Sequence, residues 1–162
     1  VARDAMDEDF ILLNADTLFQ TAVLERVLTS PPWPVTLATD QKASYDADDM
    51  KISLSGQRLR RVGKELPPGQ ADAESIGLMV FRGEGVNSFR AALECAVRDP
   101  RALKQWYLSI IGQMASSGEV WTQSIAGLDW SEVDYPLDLL RASAMVGRWQ
   151  SAEQAEDMTL AG

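Results

Sequence analysis

A short apolar run that stops abruptly at polar residues sets the pattern of this chain. Residues 10–13 read FILL, Asn14-Ala15-Asp16 follow, and apolar residues then return at helical spacing as far as Leu28. A continuous apolar run of this length is typical of a strand covered on both faces, whereas spacings of three and four residues are typical of a helix. The segment therefore predicts a strand, a polar loop and a helix in succession.

The same alternation continues along the sequence. We predict further strands at 33–38, 75–81 and 120–125, a hairpin from 50–54 and 57–64, and an extended segment at 130–134. Further helices are predicted around 89–97, from Asp99-Pro100 through Met114, and from Pro136 through Trp149. This order predicts an α/β fold, with a mostly parallel mixed sheet and helices on both faces. Residues 1–150 are expected to form a single domain and residues 151–162 a polar C-terminal tail.

The absence of histidine narrows the chemistry of the chain. None of its 162 residues is a histidine, which excludes Ser-His-Asp and Cys-His nucleophile systems and every His-ligated metal site. The single cysteine, Cys95, excludes a disulfide within the chain and CxxC metal sites. Any catalysis therefore has to rest on carboxylates, lysine, arginine or a hard metal ion.

The balance of charge points to the kinds of partner. Lys and Arg number 15 and Asp and Glu 24, which gives a net charge of −9 and disfavours nucleic acid as a partner. Cationic ligands or metal-complexed anions fit this surface better. No apolar run approaches the roughly 18 residues of a membrane span, so we expect a cytoplasmic protein without membrane insertion.

Two carboxylates stand where a ligand site is expected. Asp16 follows the first strand and Asp134 ends the extended segment before Pro136. Ligands of open α/β sheets bind beyond the carboxyl ends of the strands, and Mg²⁺ takes one or two carboxylates together with substrate phosphates. Lys64, after Gly63, is the candidate cation that would face such an anion. One alternative is that Asp16, or Thr17 in its place, only caps the following helix and that Asp134 does the same for the next one. The alternative for Lys64 is an ordinary surface lysine.

Four motifs occur in an order that resembles a known family. They are NAD at 14–16, GKEL at 63–66, ESIGLMVF at 74–81 and WSEVDYPLDL at 130–139. In this order, from Asp9 to Trp149, the chain resembles the nucleotidyltransferases that couple an NTP to a phosphorylated sugar or alcohol. The EVDYP segment and WYL at 106–108 are most similar to phosphocholine and related cytidylyltransferases. The resemblance implies a Rossmann-like nucleotidyltransferase fold.

The resemblance also implies roles for individual residues. Asp16 and Asp134 match catalytic aspartates that bind Mg²⁺, and Lys64 matches a catalytic lysine that contacts the acceptor phosphate. Glu74, Ser75 and Gly77 fall where the family places acceptor contacts and a close-approach glycine. The implied reaction transfers a nucleotidyl group from an NTP, with CTP favoured, to a phosphorylated small-molecule acceptor such as phosphocholine, and releases pyrophosphate.

Two alternatives for the function remain open at this point. The first keeps the reaction but uses a sugar 1-phosphate and another NTP as the substrates. The second is a non-catalytic binding or regulatory domain, because the glycine-rich loop with a basic residue that holds the triphosphate in this family is not found in the sequence. We therefore expect an N-terminally incomplete domain that self-associates or pairs with a complementary N-terminal segment.

Aromatic and acidic residues around Asp134 suggest how the acceptor is recognised. Trp130 and Tyr135 flank Asp134 and are expected, with Glu132, to bind a quaternary ammonium group. The alternatives are a core role for the aromatics, which is expected for Trp106 and Tyr107, and solvation for Glu132. The loop KASYDADD at 42–49 predicts a solvated acidic turn rather than a calcium site.

Overall fold

The computed structural model describes residues 5–100 and 106–160. The strands are β1 (Phe10–Leu13), β2 (Thr17–Phe19), β3 (Val35–Asp40), β4 (Lys51–Ser55), β5 (Arg58–Val62), β6 (Ala73–Phe81), β7 (Val120–Ser124) and β8 (Trp130–Glu132). The helices are α1 (Thr21–Leu28), α2 (Glu84–Ala96), α3 (Leu108–Ser116) and α4 (Pro136–Leu160). The predicted alternation of strands and helices, including the β4–β5 hairpin, is confirmed.

The main sheet has six strands, and its directions differ from the prediction. Its order is β1-β6-β3-β7-β5-β4, and β4 also pairs with β6. Only β3 and β7 pair in parallel among the described strands, so the prediction of a mostly parallel sheet is wrong. Both β1 and β3 are antiparallel to β6, which lies between them, so these two strands share a direction without pairing. The strand-helix-strand pattern indicated that shared direction but not the strand inserted between them.

Helices cover both faces of this sheet, as predicted. Every residue of β6 is buried, and successive side chains point to opposite faces. Met79 and Phe81 pack with Phe89 of α2 and with residues of α3, while Leu78 and Val80 pack against α1. Phe81 also stacks on Phe10 at a centroid distance of 4.5 Å, and both rings belong to the hydrophobic core between the sheet and α2.

A separate two-stranded ribbon corrects the predicted start of the first helix. Residues 17–19 form β2, which pairs antiparallel with β8, and α1 begins only at Thr21. The Thr17 hydroxyl donates to the carbonyl of Ile76 at 3.1 Å and so ties the ribbon to β6. Because the N-cap of α1 is Gln20, neither Asp16 nor Thr17 caps that helix. The alternative explanation of Asp16 as a helix cap is therefore wrong.

Strand β6 contains an irregularity at Gly77. Leu37 of β3 faces Met79, but Thr39 faces Ser75, so two steps along β3 correspond to four along β6. Gly77 has φ +75°, a backbone conformation that residues with a Cβ rarely adopt. The N–H of Asn14, directly after β1, donates to the carbonyl of Gly77 at 2.9 Å. Bulges of this kind redirect side chains next to functional sites.

The helices of the C-terminal half differ from the sequence prediction at their ends. Helix α4 continues to Leu160, so the segment expected as a tail from residue 151 is helical through residue 160. Helix α3 begins at Leu108, and the part of its predicted start at 101–105 lies outside the described residues. Trp106 is 68% exposed, so the prediction that it belongs to the core is wrong. No described helix has the length and apolar character needed to cross a membrane.

Strand β1 lies at an edge of the sheet, where the predicted association with another chain or segment could occur. Within the described part of the chain it pairs only with β6, and its side chains Ile11 and Leu13 are exposed. An unpaired edge with exposed apolar residues is a surface on which another strand can pair. Self-association or pairing with a complementary N-terminal segment remains a prediction.

Candidate active site

A cleft of about 740 Å³ opens beyond the carboxyl end of β1 and beside the N-terminal half of β6. The β2–β8 ribbon, the loop between β3 and β4, and the first turns of α3 and α4 complete its walls. Seven of the predicted site residues line it: Asp16, Lys64, Ser75, Gly77, Glu132, Asp134 and Tyr135. Glu74 and Trp130, although both are described, do not line it.

The ribbon brings the two predicted metal ligands to the same cleft. Thr17 pairs with Glu132, and the N–H of Val133 donates to the carbonyl of Asp16 at 3.0 Å. Asp134 does not cap α4, because Asp138 accepts the N–H of Tyr135 at 3.0 Å, as a capping residue in the first turn does. Both carboxylates are therefore available to a ligand in the cleft.

The donor set in this cleft suits Mg²⁺ bound together with a substrate. Asp16 and Asp134 offer hard carboxylate oxygens, which Mg²⁺ combines with phosphate oxygens and water. Among the described residues, no group of three or more His, Cys, Asp or Glu side chains is arranged to hold a metal ion. A bound metal would accordingly take its remaining ligands from the substrate or from water.

Negative charge accumulates around Glu132. Desolvation raises the pKa of Glu132, and the nearby carboxylates of Asp134 and Asp16 raise it further. Lys42 opposes this increase in the pKa only in part. A divalent cation or an ammonium group in the cleft would relieve the repulsion between these carboxylates.

Lys64 also lines the cleft and is held loosely. Its Nζ lies 3.6 Å from Oδ1 of Asp48, whose side chain is 91% exposed, and 5.5 Å from the ring centroid of Trp106. Exposed ion pairs of this kind contribute only about 0–1 kcal/mol. Lys64 can therefore turn towards an anion in the cleft at little cost, and its predicted contact with the acceptor phosphate remains a prediction.

Lys42 is a cleft residue that the sequence analysis missed. Its Nζ donates to Oδ1 of Asp49 at 2.9 Å and to Oε2 of Glu74 at 2.8 Å. The side chain of Glu74 is only 3% exposed, and its Oε1 has no hydrogen-bond partner among the described residues. Glu74 thus reaches the cleft through Lys42 and not directly, contrary to its predicted contact with the acceptor. Most residues of the loop at 42–49 are exposed, as expected of a solvated turn, and the loop also supplies one wall of the cleft.

The burial of Glu74 should make the stability of the fold depend on pH. It raises the pKa of Glu74 from 4.5 to about 7, against the opposing effect of Lys42. The folded state then binds the proton of the Glu74 carboxyl group more tightly than the unfolded state does. The stability that this proton contributes is therefore lost as the pH rises from about 4.5 to about 7. We expect the free energy of unfolding of Glu74→Gln, relative to that of the wild type, to increase by up to about 3 kcal/mol as the pH rises through this interval. Urea unfolding of both proteins at pH 4.5, 6 and 8 measures this difference. A constant difference between the two proteins would contradict the raised pKa.

Asn14, Tyr107 and Gly77 form a second contact network in the cleft. The Tyr107 hydroxyl donates to Oδ1 of Asn14 at 2.7 Å. Burial raises the pKa of Tyr107 to about 12, helped by the negative charges of Asp16 and Glu132, so the hydroxyl stays protonated. A Cβ on Gly77 would lie 2.4 Å from Nδ2 of Asn14. The close approach predicted for this glycine is thus made by a side chain of the protein itself.

The predicted aromatic pair does not form a box around the cleft. The indole N–H of Trp130 donates to Oδ2 of Asp40 at 2.8 Å, and the ring packs against the cluster formed by α1 and β6. Tyr135 does line the cleft and is 69% exposed. Ser75 also lines it, and its Oγ accepts the N–H of Gly77 at 3.3 Å.

Sequence comparison finds relatives that are much longer than this chain. No family model matches the sequence. The chain is 30% identical over 154 residues to a CMP-5'-(3-aminopropyl)phosphonate synthase of Streptomyces rubellomurinus, covering 88% of this chain and 24% of that protein. It is 26% identical over 149 residues to a bifunctional IPC transferase and DIPP synthase of Rubrobacter xylanophilus, covering 91% of this chain and 32% of that protein.

Solved structures agree with the sequence matches. The inositol-1-phosphate CTP transferase of T. maritima superposes with a TM-score of 0.65 at 18% identity, covering 82% of this chain and 51% of that one. The fold is that of a nucleotidyltransferase. A putative glucose-1-phosphate thymidylyltransferase of Bacillus anthracis gives a TM-score of 0.69 at 13% identity, covering 89% and 57%. The resemblance to nucleotidyltransferases is confirmed, and the chain spans about a quarter to a third of its curated relatives.

Proposed function

We propose that this nucleotidyltransferase domain uses Mg²⁺ and CTP to transfer a cytidylyl group to a small acceptor bearing a phosphate or phosphonate. The observation that carries the proposal is the β2–β8 ribbon, which places Asp16 and Asp134 on one cleft with Lys64. A cytidine nucleotide is supported by the names of two similar proteins, the CMP-5'-(3-aminopropyl)phosphonate synthase and the inositol-1-phosphate CTP transferase.

The proposed chemistry requires positioning rather than a covalent nucleophile. An oxygen of the acceptor attacks the α-phosphorus of CTP, the bond from that phosphorus to the bridging oxygen breaks, and pyrophosphate leaves. Asp16 and Asp134 would hold Mg²⁺, which supplies charge neutralisation at the phosphates. Lys64 would orient the acceptor anion, and the protein needs no histidine for these roles.

The charge of the cleft favours an acceptor that also carries a cationic group. Seven carboxylates line it (Asp16, Asp46, Asp48, Asp49, Glu132, Asp134 and Asp138) against three cations (Lys42, Lys64 and Arg141). One Mg²⁺ would offset only part of this excess. An acceptor with an ammonium group near Glu132 therefore fits better than a neutral sugar phosphate. Because Trp130 lies outside the cleft, carboxylates and not an aromatic box would provide the cation contacts.

A pyrophosphate-release assay tests this proposal. The chain is incubated with Mg²⁺ and each of CTP, dTTP, ATP, UTP and GTP, together with phosphocholine, 3-aminopropylphosphonate or glucose 1-phosphate. We expect release with CTP and the two acceptors that carry a cationic group. Release with dTTP and glucose 1-phosphate would instead establish the sugar-phosphate alternative. Mg²⁺-dependent CTP binding without release from any pair would indicate the binding-domain alternative.

A further inference from the structure

We propose that the side-chain NH₂ group of Asn14 binds a phosphate or phosphonate oxygen of the acceptor, and that Tyr107 is a positioning residue that holds this amide in the required orientation. The inference rests on the proposed function and adds two residues to its site. Asn14 belongs to the NAD motif at 14–16, and the resemblance to nucleotidyltransferases implied no role for it.

The contact with Tyr107 determines which end of the amide is available. The phenolic hydroxyl donates to Oδ1 of Asn14 at 2.7 Å and therefore occupies the oxygen end of the side chain. The Nδ2 end lies against Gly77, which lines the cleft. A flipped amide would place its oxygen beside Gly77, whereas the observed orientation places a donor there, between two residues that line a cleft rich in carboxylates.

The backbone around Asn14 further restricts its position. Its N–H donates to the carbonyl of Gly77 at 2.9 Å, and the missing Cβ of Gly77 leaves the space that the amide occupies. The side chain is half-buried and lies two residues before Asp16. The donor is thus fixed before any ligand arrives, which is the arrangement that lowers the entropic cost of binding.

A neutral donor suits this location better than another cation would. Lys42, in the same cleft, is already paired with the carboxylates of Asp49 and Glu74. An amide forms no such ion pair, so its N–H groups stay available for an oxyanion. A hydrogen bond from an amide to a charged oxygen is among the stronger hydrogen bonds in proteins.

The test is the affinity of the 162-residue chain for inorganic phosphate and phosphocholine, measured by calorimetry with Asn14→Asp. This substitution keeps the shape and the acceptor for Tyr107 but replaces the NH₂ donor by an anionic oxygen. We expect a loss of at least about tenfold in affinity for both probes. The matched control is Asn87→Asp, the same change at an exposed position of α2, which should bind both probes like the wild type. Unchanged affinity of Asn14→Asp, or no phosphate binding by the wild type, would overturn the proposal.

The role of Tyr107 is tested by a double-mutant cycle. We expect Tyr107→Phe to weaken phosphate binding about threefold to tenfold in the wild type but to have no further effect in Asn14→Asp, because it acts through the amide. An equal loss in both backgrounds would show that Tyr107 does not position Asn14. The metal-ligand variant Asp16→Asn, assayed for Mg²⁺-dependent CTP binding, reports on the proposed function separately. A normal result there with a loss in Asn14→Asp would reject the reaction and retain the anion site.

Discussion

Asp16→Asn and Asp134→Asn should each reduce Mg²⁺-dependent CTP affinity by more than about 100-fold, because each would remove a proposed ligand of the ion and its charge. Asparagine keeps the size of the side chain, and neither carboxylate caps a helix. Thermal stability should therefore be unchanged or slightly raised as repulsion with Glu132 decreases. Titration calorimetry of Mg²⁺-CTP into each variant, with melting temperatures alongside, measures both effects.

The matched control for these variants is Asp7→Asn, which changes an exposed carboxylate outside the cleft. It should bind Mg²⁺-CTP like the wild type. The double variant should lose little more than either single variant, because two ligands of one metal act as a unit. Strictly additive losses would indicate two independent sites and would contradict a shared ion.

Gly77→Ala should be destabilising by about 2–4 kcal/mol, for two separate reasons. The backbone there has φ +75°, and a Cβ would lie 2.4 Å from Nδ2 of Asn14. The side chain of Asn14 would have to move, so its bond with Tyr107 should also be lost. A fall in melting temperature of about 2–4 °C per kcal/mol would be expected for a domain of this size.

Gly127→Ala separates the effect of backbone strain from the effect of the clash with Asn14. Gly127 has φ +83° and nothing within 4 Å of an added Cβ, so alanine there meets the backbone strain alone. It should be destabilising by only about 1 kcal/mol and should keep phosphate affinity. If both alanine variants lose the same stability, the packing of Asn14 against Gly77 contributes nothing.

Local patterns predicted the elements of this fold but not the pairing that builds the site. The apolar runs of β1 and β6 and the stripe of α2 were visible because burial imposes a period on the sequence. Strand β2 has three residues, which is too short to show a period, and its partner β8 is distant in the sequence. The sequence therefore placed Asp16 before a helix, whereas the structure places it before a ribbon strand.

The same limit applies to the charged network at the wall of the cleft. Lys42, Asp49 and Glu74 meet because a loop folds over the end of β6, and no local spacing reports such a contact. Glu74 lies in a motif that resembles the family, but the resemblance implied a direct acceptor contact and could not show its burial. Asp134, at the end of an extended segment before a proline, did carry a recognisable local pattern.

The most direct test of the account is to locate the metal. Crystals of the chain grown with CTP and Mn²⁺, which replaces Mg²⁺ at oxygen sites, would give an anomalous peak at the ion. The account predicts one peak within about 2.0–2.3 Å of carboxylate oxygens of both Asp16 and Asp134, with nucleotide phosphate completing the coordination. CTP bound in the cleft with the ion away from these two aspartates would contradict it.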